Sequence, residues 1–416
     1  MTSTPSAPAS CDVLVVGAGP AGSACAQMLA RAGFDVVLAD QHGFPRDKVC
    51  GDGLIPDAHK ALARLGVLDE VLARAQGASH VGCIGPRGGR VDVPGTLAVL
   101  PRRELDEILR RAALAAGARW LAPARFEAAL FGADQHVIGV RLRLASGTSH
   151  ELRARWTVLA TGATSPALIA AGVCERRAPS GVALRGYFRN DAMVGRITAL
   201  EVVWHRALRC GYGWIFPCPG GVFNIGVGLT HSHEIEAGGG ARAAMRNVNL
   251  RELFVDFTRS YAPAGQLMQG GTPLGELKGA PLRCSLAGAR WSRPGLLVSG
   301  EAAGSTYSFT GEGIGKALET GMFAAEAISE GRATQRGDAE VRARYEAALN
   351  GLKPRFALYE RANRINDHPW LADLLIWRAR HSERIMRRAR GVLEETSNPG
   401  NLVTVRGLLR LVLPLG

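Results

Sequence analysis

Three glycines, Gly17, Gly19 and Gly22, and an acid, Asp40, about twenty residues further on, have the types and spacing to hold a dinucleotide. Gly17 allows a tight turn, Gly19 lets backbone approach a pyrophosphate, and Gly22 lets a helix pack closely against the preceding strand. Asp40 can accept from a ribose hydroxyl. Cys50 lies in Phe44-Pro45-Arg46-Asp47-Lys48-Val49-Cys50-Gly51-Asp52-Gly53, a loop able to reach back over a bound nucleotide. Tyr212, Trp214 and Phe216 alternate in Tyr212-Gly213-Trp214-Ile215-Phe216-Pro217, so a strand would set all three on one face. Late in the chain come Gly300-Glu301 and Thr310-Gly311-Glu312-Gly313-Ile314-Gly315, a second glycine-rich entry to a helix. Its N–H groups could face phosphate or an electron-rich ring edge. From spacing alone, Cys50 is equally a small buried hydrophobe, and the aromatic trio equally a core face.

The elements that must position these residues follow from periodicity. The apolar run 12–16, a helix to residue 31 and a second apolar run at 36–39 make a βαβ unit. Leu62, Leu65, Leu68 and Leu72 have helical spacing over 56–74, residues 81–99 read as a hairpin, and a helix should begin near Pro101 and run to Gly117. Strands are expected at 137–144 and 156–162, where Thr161-Gly162-Ala163 again lets backbone lie against a ligand. Residues 181–229 read as a separate antiparallel sheet and 234–262 as one or two helices. A strand at 296–304 then leads to a helix over 316–328, and from residue 338 the chain is helix-rich and basic, ending in an apolar stretch at 408–415.

Composition bounds the function. The chain has 416 residues, 47% of them hydrophobic, and a formal charge of +13, much of it arginine near the C-terminus. No apolar run reaches the ~20 residues of a spanning helix, and the polar start lacks a signal pattern, so a cytoplasmic protein is expected. The eight cysteines have neither CxxC pairing nor metal-ligand spacing, which points to reduced thiols and no metal. The basic charge suits an anionic substrate or lipid surface. No nucleic-acid module is visible.

Taken in order, five stretches resemble the geranylgeranyl reductase family of FAD-dependent oxidoreductases, within the class folded like p-hydroxybenzoate hydroxylase. They are Gly17–Gly22 with Asp40, Pro45-Arg46 through Cys50-Gly51, Arg102 with Asp106, Tyr212 through Pro217, and Gly300-Glu301 with Thr310–Gly315. The resemblance spans residues 12 to about 328. It implies an α/β fold with a Rossmann-like FAD-binding domain (11–80, 100–173 and 280–335) and an inserted antiparallel-sheet substrate domain (81–99 and 174–279); the helical, basic C-terminal region (336–416) lies outside it and is read from its own composition.

The resemblance implies that Gly17, Gly19, Ala21, Gly22 and Asp40 hold the ADP half of FAD. Arg46, Cys50, Gly51, Arg102 and Gly162 would join them, with Arg102 near the pyrophosphate or ribityl chain. Glu301 stands where the family has an aspartate, and Gly311, Gly313 and Ile314 would approach the isoalloxazine. Tyr212, Trp214 and Phe216 match a YxWxFP segment that lines the substrate cavity, and Cys50 a cysteine near the flavin. Cys50, Tyr212 and Trp214 are thereby the catalytic candidates, with Cys50 or Tyr212 as proton donor or orienter.

The implied activity is reduction of carbon–carbon double bonds in a prenyl or similarly apolar substrate, with NADPH or another reductant, including an electron-donor protein, as electron source. The basic C-terminal region reads first as a solvated arginine-rich helix face and would also allow peripheral membrane contact. Thr161 replaces the aspartate of a DG motif found in many aromatic hydroxylases. The alternative is an oxygen-using monooxygenase or, third, a halogenase; a halogenase has a WxWxIP segment and a lysine facing the flavin, for which Lys48 is the candidate here.

Overall fold

A computed structural model describes residues 7–132, 134–208, 210–230 and 249–396. Its first sheet has five parallel strands in the order Leu296–Val298, Ser149–Leu159, Ser10–Val16, Val36–Ala39 and Arg119–Leu121. Val13 to Val16 are apolar without alternation because both faces of this strand are covered. Register is direct: Val15 pairs with Leu38 on one side and Val158 on the other. The hairpin Ala124–Phe131 and Val137–Leu144 adds antiparallel strands beside Ser149–Leu159.

The first helix, Pro20–Arg31, follows from two glycines. Gly17 turns at φ +103°, and a Cβ on Gly22 would lie 1.7 Å from the Gly17 carbonyl oxygen, so only glycine allows this strand and helix to meet. No side chain caps this helix and its first turn has no acid, leaving its leading N–H groups and positive dipole end for a ligand. The long helix Ile314–Ala333 packs beside it over the same face of the sheet, against Val13, Val15 and Leu29.

The second sheet runs Thr272–Pro273, Gly181–Arg189, Val222–Thr230, Gly211–Cys218, Leu200–Val203, Gln76–Ile84, Arg90–Val99 and Gly53–Leu54. It is antiparallel except where Leu200–Val203 meets Gln76–Ile84. Helices Leu250–Ser260 and Ala262–Gly270 cover one face through Phe254, Phe257 and Leu267. The C-terminal helices Asp338–Ala362, Trp370–Arg380 and Glu383–Leu393 contribute to the other side, where Leu371, Ile376 and Ala379 meet Val91, Trp204 and Tyr212. Among the described residues, no helix is long and apolar enough to cross a membrane.

The chain is therefore a Rossmann-like α/β core with an inserted, largely antiparallel sheet and C-terminal helices, as expected. Local differences have physical causes. The helix expected over 56–74 is two, Pro56–Leu65 and Leu68–Arg74, because Gly66 enters the left-handed region at φ +73° and closes the first. The strand expected at 296–304 ends at Val298, and a short 3-10 turn, Gly300–Ala303, follows. The expected helices over 234–262 fall partly outside the described residues, and residues 408–415 lie wholly outside them.

Candidate active site

The glycine turn, two arginines and two acids form one end of the site. Asp40 is buried at the end of its strand and accepts from the Ala18 N–H (2.8 Å) and the His42 N–H (2.9 Å). Arg102, in the first turn of helix Arg102–Ala115, is held by two parallel bonds to Asp106 one helical turn on, 2.7 and 2.8 Å. Arg46 reaches the same carboxylate at 3.1 Å and lies 3.8 Å from Asp40. Burial disfavours the charge on Arg102, but Asp106 and Cys50 together outweigh it and raise the guanidinium pKa. A Cβ built on Gly19 would sit 3.7 Å from the terminal nitrogens of both Arg102 and Arg46, so both cations look onto the open backbone at the helix N-terminus.

The Cys50 loop ties this end to the second sheet. The Cys50 carbonyl accepts from Asn224 Nδ2 (2.8 Å), and Asn224 Oδ1 accepts from the Trp214 indole N–H (2.9 Å). Gly51 is pressed on the aromatic wall, where a Cβ would lie 3.2 Å from Phe216. Burial raises the Cys50 thiol pKa. Tyr212, Trp214 and Phe216 do share one face, with successive ring centroids 6.3 and 6.5 Å apart. Burial likewise raises Tyr212, whose hydroxyl donates to the Thr310 carbonyl.

The third part is the late glycine turn. Glu301 accepts from Thr306 Oγ1 (3.5 Å), and Lys48 Nζ lies 3.8 Å from its other oxygen. Lys48 is thus paired with an acid on the opposite loop. Gly311 turns at φ +66°, where a Cβ would strike the Tyr212 hydroxyl at 2.7 Å, and a Cβ on Gly313 would meet Thr306 Oγ1 at 2.6 Å. Ile314 packs with Leu54 and Leu62 behind the turn, Ala21 lies against Gly300, and Gly162 turns at φ +75° with open space beside it.

Between the second sheet and the C-terminal helices lies an apolar cavity of about 200 Å³. Val81, Val91, Val202, Trp204 and Tyr212 form its sheet wall; Leu375, Ile376, Ile385 and Leu393 form its helical wall. Phe309, stacked on Trp204 at 6.3 Å, and Thr310 close the end toward the late glycine turn. Of the aromatic trio only Tyr212 lines this cavity; Trp214 and Phe216 lie further along the strand, toward Gly51.

Residues 10–189 match the family model described as an FAD binding domain. Over 339 residues the chain is 37% identical to menaquinone reductase of Mycobacterium tuberculosis, covering 77% of this chain and 76% of that one. It is 31% identical over 327 residues to digeranylgeranylglycerophospholipid reductase 2 of Methanopyrus kandleri, with 77% of each covered. The chain belongs to the geranylgeranyl reductase family of FAD-dependent oxidoreductases.

Solved structures agree on the fold. A geranylgeranyl bacteriochlorophyll reductase-like protein from Thermoplasma acidophilum aligns over 98% of this chain and 100% of its own, with TM-score 0.78 at 19% identity. A flavin-dependent brominase aligns over 94% and 96%, with TM-score 0.72 at 17% identity.

FAD is the cofactor of this reductase-family chain, and the residues present fit it. The open backbone at Gly19 between two guanidiniums suits a diphosphate. Thr161 Oγ1 and Ser305 Oγ are buried and have no partner, as hydroxyls facing a ligand would be.

Some site residues were not singled out from the sequence. Asp52 lies between Gly51 and Gly53 in the left-handed region at φ +66°, and Asn224 interrupts the apolar strand Val222–Thr230. A non-glycine at positive φ is invisible in sequence; an asparagine among Phe223, Ile225 and Val227 is a legible signal. The helical cavity wall lies beyond the stretches that carried the resemblance.

Proposed function

We propose that this FAD-dependent oxidoreductase reduces a carbon–carbon double bond in the isoprenoid chain of a quinone or prenyl lipid. The observation that carries the reading is the apolar cavity that ends at Phe309 and Thr310, immediately before the Gly311–Gly313 turn. An isoprenoid chain has no polar group to satisfy, and this lining of Val, Leu, Ile and aromatic side chains asks for none. Reduced FAD, when bound, supplies hydride to one alkene carbon, and NADPH or another reductant, such as an electron-donor protein, restores it.

The chain's own residues then have to hold the alkene, exclude water and deliver a proton to the second carbon. Cys50 is the candidate acid: its raised pKa keeps it a thiol at neutral pH, and its sulfur accepts from the Asp52 N–H at 3.4 Å. Tyr212 and Trp214 are orienting groups, because their hydrogens are committed to Thr310 and Asn224. The Gly311 N–H is committed to the Tyr307 carbonyl at 2.9 Å and shapes the turn, so Gly313 is the residue whose backbone amide would face the ring edge and stabilise negative charge there.

Entry of a lipid-borne chain fits the outer surface of the cavity's helical wall. Trp370 and Trp377, seven residues apart on helix Trp370–Arg380, are 58% and 50% exposed, and Arg384 and Arg387 are exposed on the next helix. Exposed tryptophan beside arginine suits the interface of an anionic membrane. Anaerobic turnover with a prenylated quinone, read by product mass, tests the activity: each reduced bond adds two hydrogens.

A further inference from the structure

We propose that Asp52 is the positioning residue of the Cys50 loop, a buried carboxylate that collects hydrogen bonds from both halves of the molecule and holds the thiol in register with the late glycine turn. The inference rests on the reductase reading for its purpose, but its geometry does not depend on that reading.

Asp52 has no exposed surface. Its Oδ1 accepts from the Arg102 backbone N–H at 3.2 Å, at the start of the helix that also presents the Arg102 guanidinium to the diphosphate cradle. Its Oδ2 accepts from Asn224 Nδ2 at 2.8 Å and from the Tyr187 hydroxyl, both on the second sheet. Asp52 N–H points back to the Cys50 sulfur, and Asn224 holds the Cys50 carbonyl with the same Nδ2 group that holds Asp52. One side chain thus joins the cofactor cradle, the thiol loop and the aromatic sheet.

The left-handed backbone supports a selected conformation. Asparagine and aspartate tolerate this region better than most side chains, but it still favours glycine, and glycine at this position would lose all three acceptor contacts.

A carboxylate meets three donors with lone pairs alone; a carboxylic acid adds a hydrogen of its own where Arg102 N–H, Asn224 Nδ2 and the Tyr187 hydroxyl all point hydrogens at it, so one contact must break or the Tyr187 hydroxyl must turn round. Protonation therefore loosens the hub. Burial is the main reason Asp52 titrates high, at about 6, with Tyr187, Arg185, Asn224 and Arg102 pulling it back down. The charged and titratable groups facing it are Cys50 on its own loop, Arg102 on helix Arg102–Ala115, and Arg185, Tyr187 and Cys218 on the second sheet.

The test is peptide-resolved alkylation of Cys50 by iodoacetamide in the FAD-loaded protein from pH 5 to pH 8, divided by the rate for N-acetylcysteine in the same buffer. In the wild type the ratio should be low and flat above neutrality and rise several-fold as pH falls through about 6. Asp52→Asn should give a high ratio with no inflection. Tyr187→Phe removes a donor that favours the carboxylate, so its inflection should move to higher pH.

A ratio equal in wild type and Asp52→Asn overturns the proposal, as does an inflection that survives in Asp52→Asn. Should Asp52→Asn fail to retain FAD, Tyr187→Phe decides: an unmoved inflection overturns it. Turnover separates this from the activity reading. Positioning predicts a kcat loss of about tenfold, the scale of one hydrogen bond, with KM nearly unchanged. Altered alkylation in a protein that reduces no prenylated quinone leaves Asp52 as the loop's anchor and contradicts the reductase reading alone.

Discussion

Tyr212 donates its hydroxyl hydrogen to the carbonyl of Thr310, so the sheet wall of the apolar cavity and the Gly311–Gly313 turn are one hydrogen-bonded unit. Tyr212→Phe keeps the ring and breaks that link. The Thr310 carbonyl loses its partner, at a cost of about 1 kcal/mol. Turnover should fall while substrate KM stays close to wild type, because the apolar wall is intact. Steady-state kinetics with a prenylated quinone check this; a large KM change with unaltered kcat would assign Tyr212 to binding only.

Gly19 and Gly22 should fail in different ways. Gly22→Ala drives a methyl into the Gly17 carbonyl at 1.7 Å and should destabilise the fold itself. Gly19→Ala finds its nearest neighbours at 3.7 Å, both of them arginine side chains, and should fold normally. Its methyl occupies the space between those guanidiniums that a diphosphate needs. Thermal unfolding of the apoprotein and FAD titration together distinguish the two: near-normal stability with at least tenfold weaker FAD binding, about 1.4 kcal/mol, is expected for Gly19→Ala.

The βαβ unit was readable because its constraints are local. Gly17 and Gly22 act through close backbone approach and Asp40 through its bond from the Ala18 N–H, all within one unit, and spacing records both. The period-two aromatics likewise declared their common face. What spacing could not give is which of those rings meets the cavity: Tyr212 does, while Trp214 is turned to Asn224 and Phe216 to Gly51. The helical wall was hidden for a related reason. Helix Trp370–Arg380 is apolar along the face carrying Ala372, Ile376 and Ala379, and nothing in that pattern names the sheet it covers.

Asp57 makes stability pH-dependent. It lies 3.6 Å from Lys316, whose ammonium also meets Glu319 at 2.6 Å and Glu395 at 2.9 Å. Burial raises Asp57 to about 6, against about 3.9 in an unfolded chain. Between those values the native state holds the extra proton, so this contribution stabilises as pH falls from 7 toward 5 and is lost as pH rises. Its size is on the order of 2 kcal/mol. His59, lowered by burial, acts in the opposite sense, so the informative quantity is wild type minus Asp57→Asn. Denaturant unfolding at pH 5 and pH 7.5 should show that difference growing at the lower pH; parallel curves would contradict the assignment.

Trp370 and Trp377 should govern lipid contact without governing chemistry. Replacing both by serine removes exposed aromatic surface from a helix whose opposite face lines the cavity. Sedimentation with anionic vesicles should drop several-fold, while reduction of a short-chain, water-soluble analogue stays near wild type. Equal sedimentation would move the membrane surface elsewhere.

The most direct test of the central claim is anaerobic reoxidation. The FAD-loaded protein is reduced without oxygen and mixed with a prenylated quinone, the flavin spectrum is followed, and the product is weighed by mass spectrometry. Reoxidation without air, with a product heavier by two hydrogens for each reduced double bond, is the predicted result. A flavin that stays reduced until air is admitted, with the isoprenoid chain unchanged, would contradict it and place this fold in oxygen-dependent chemistry.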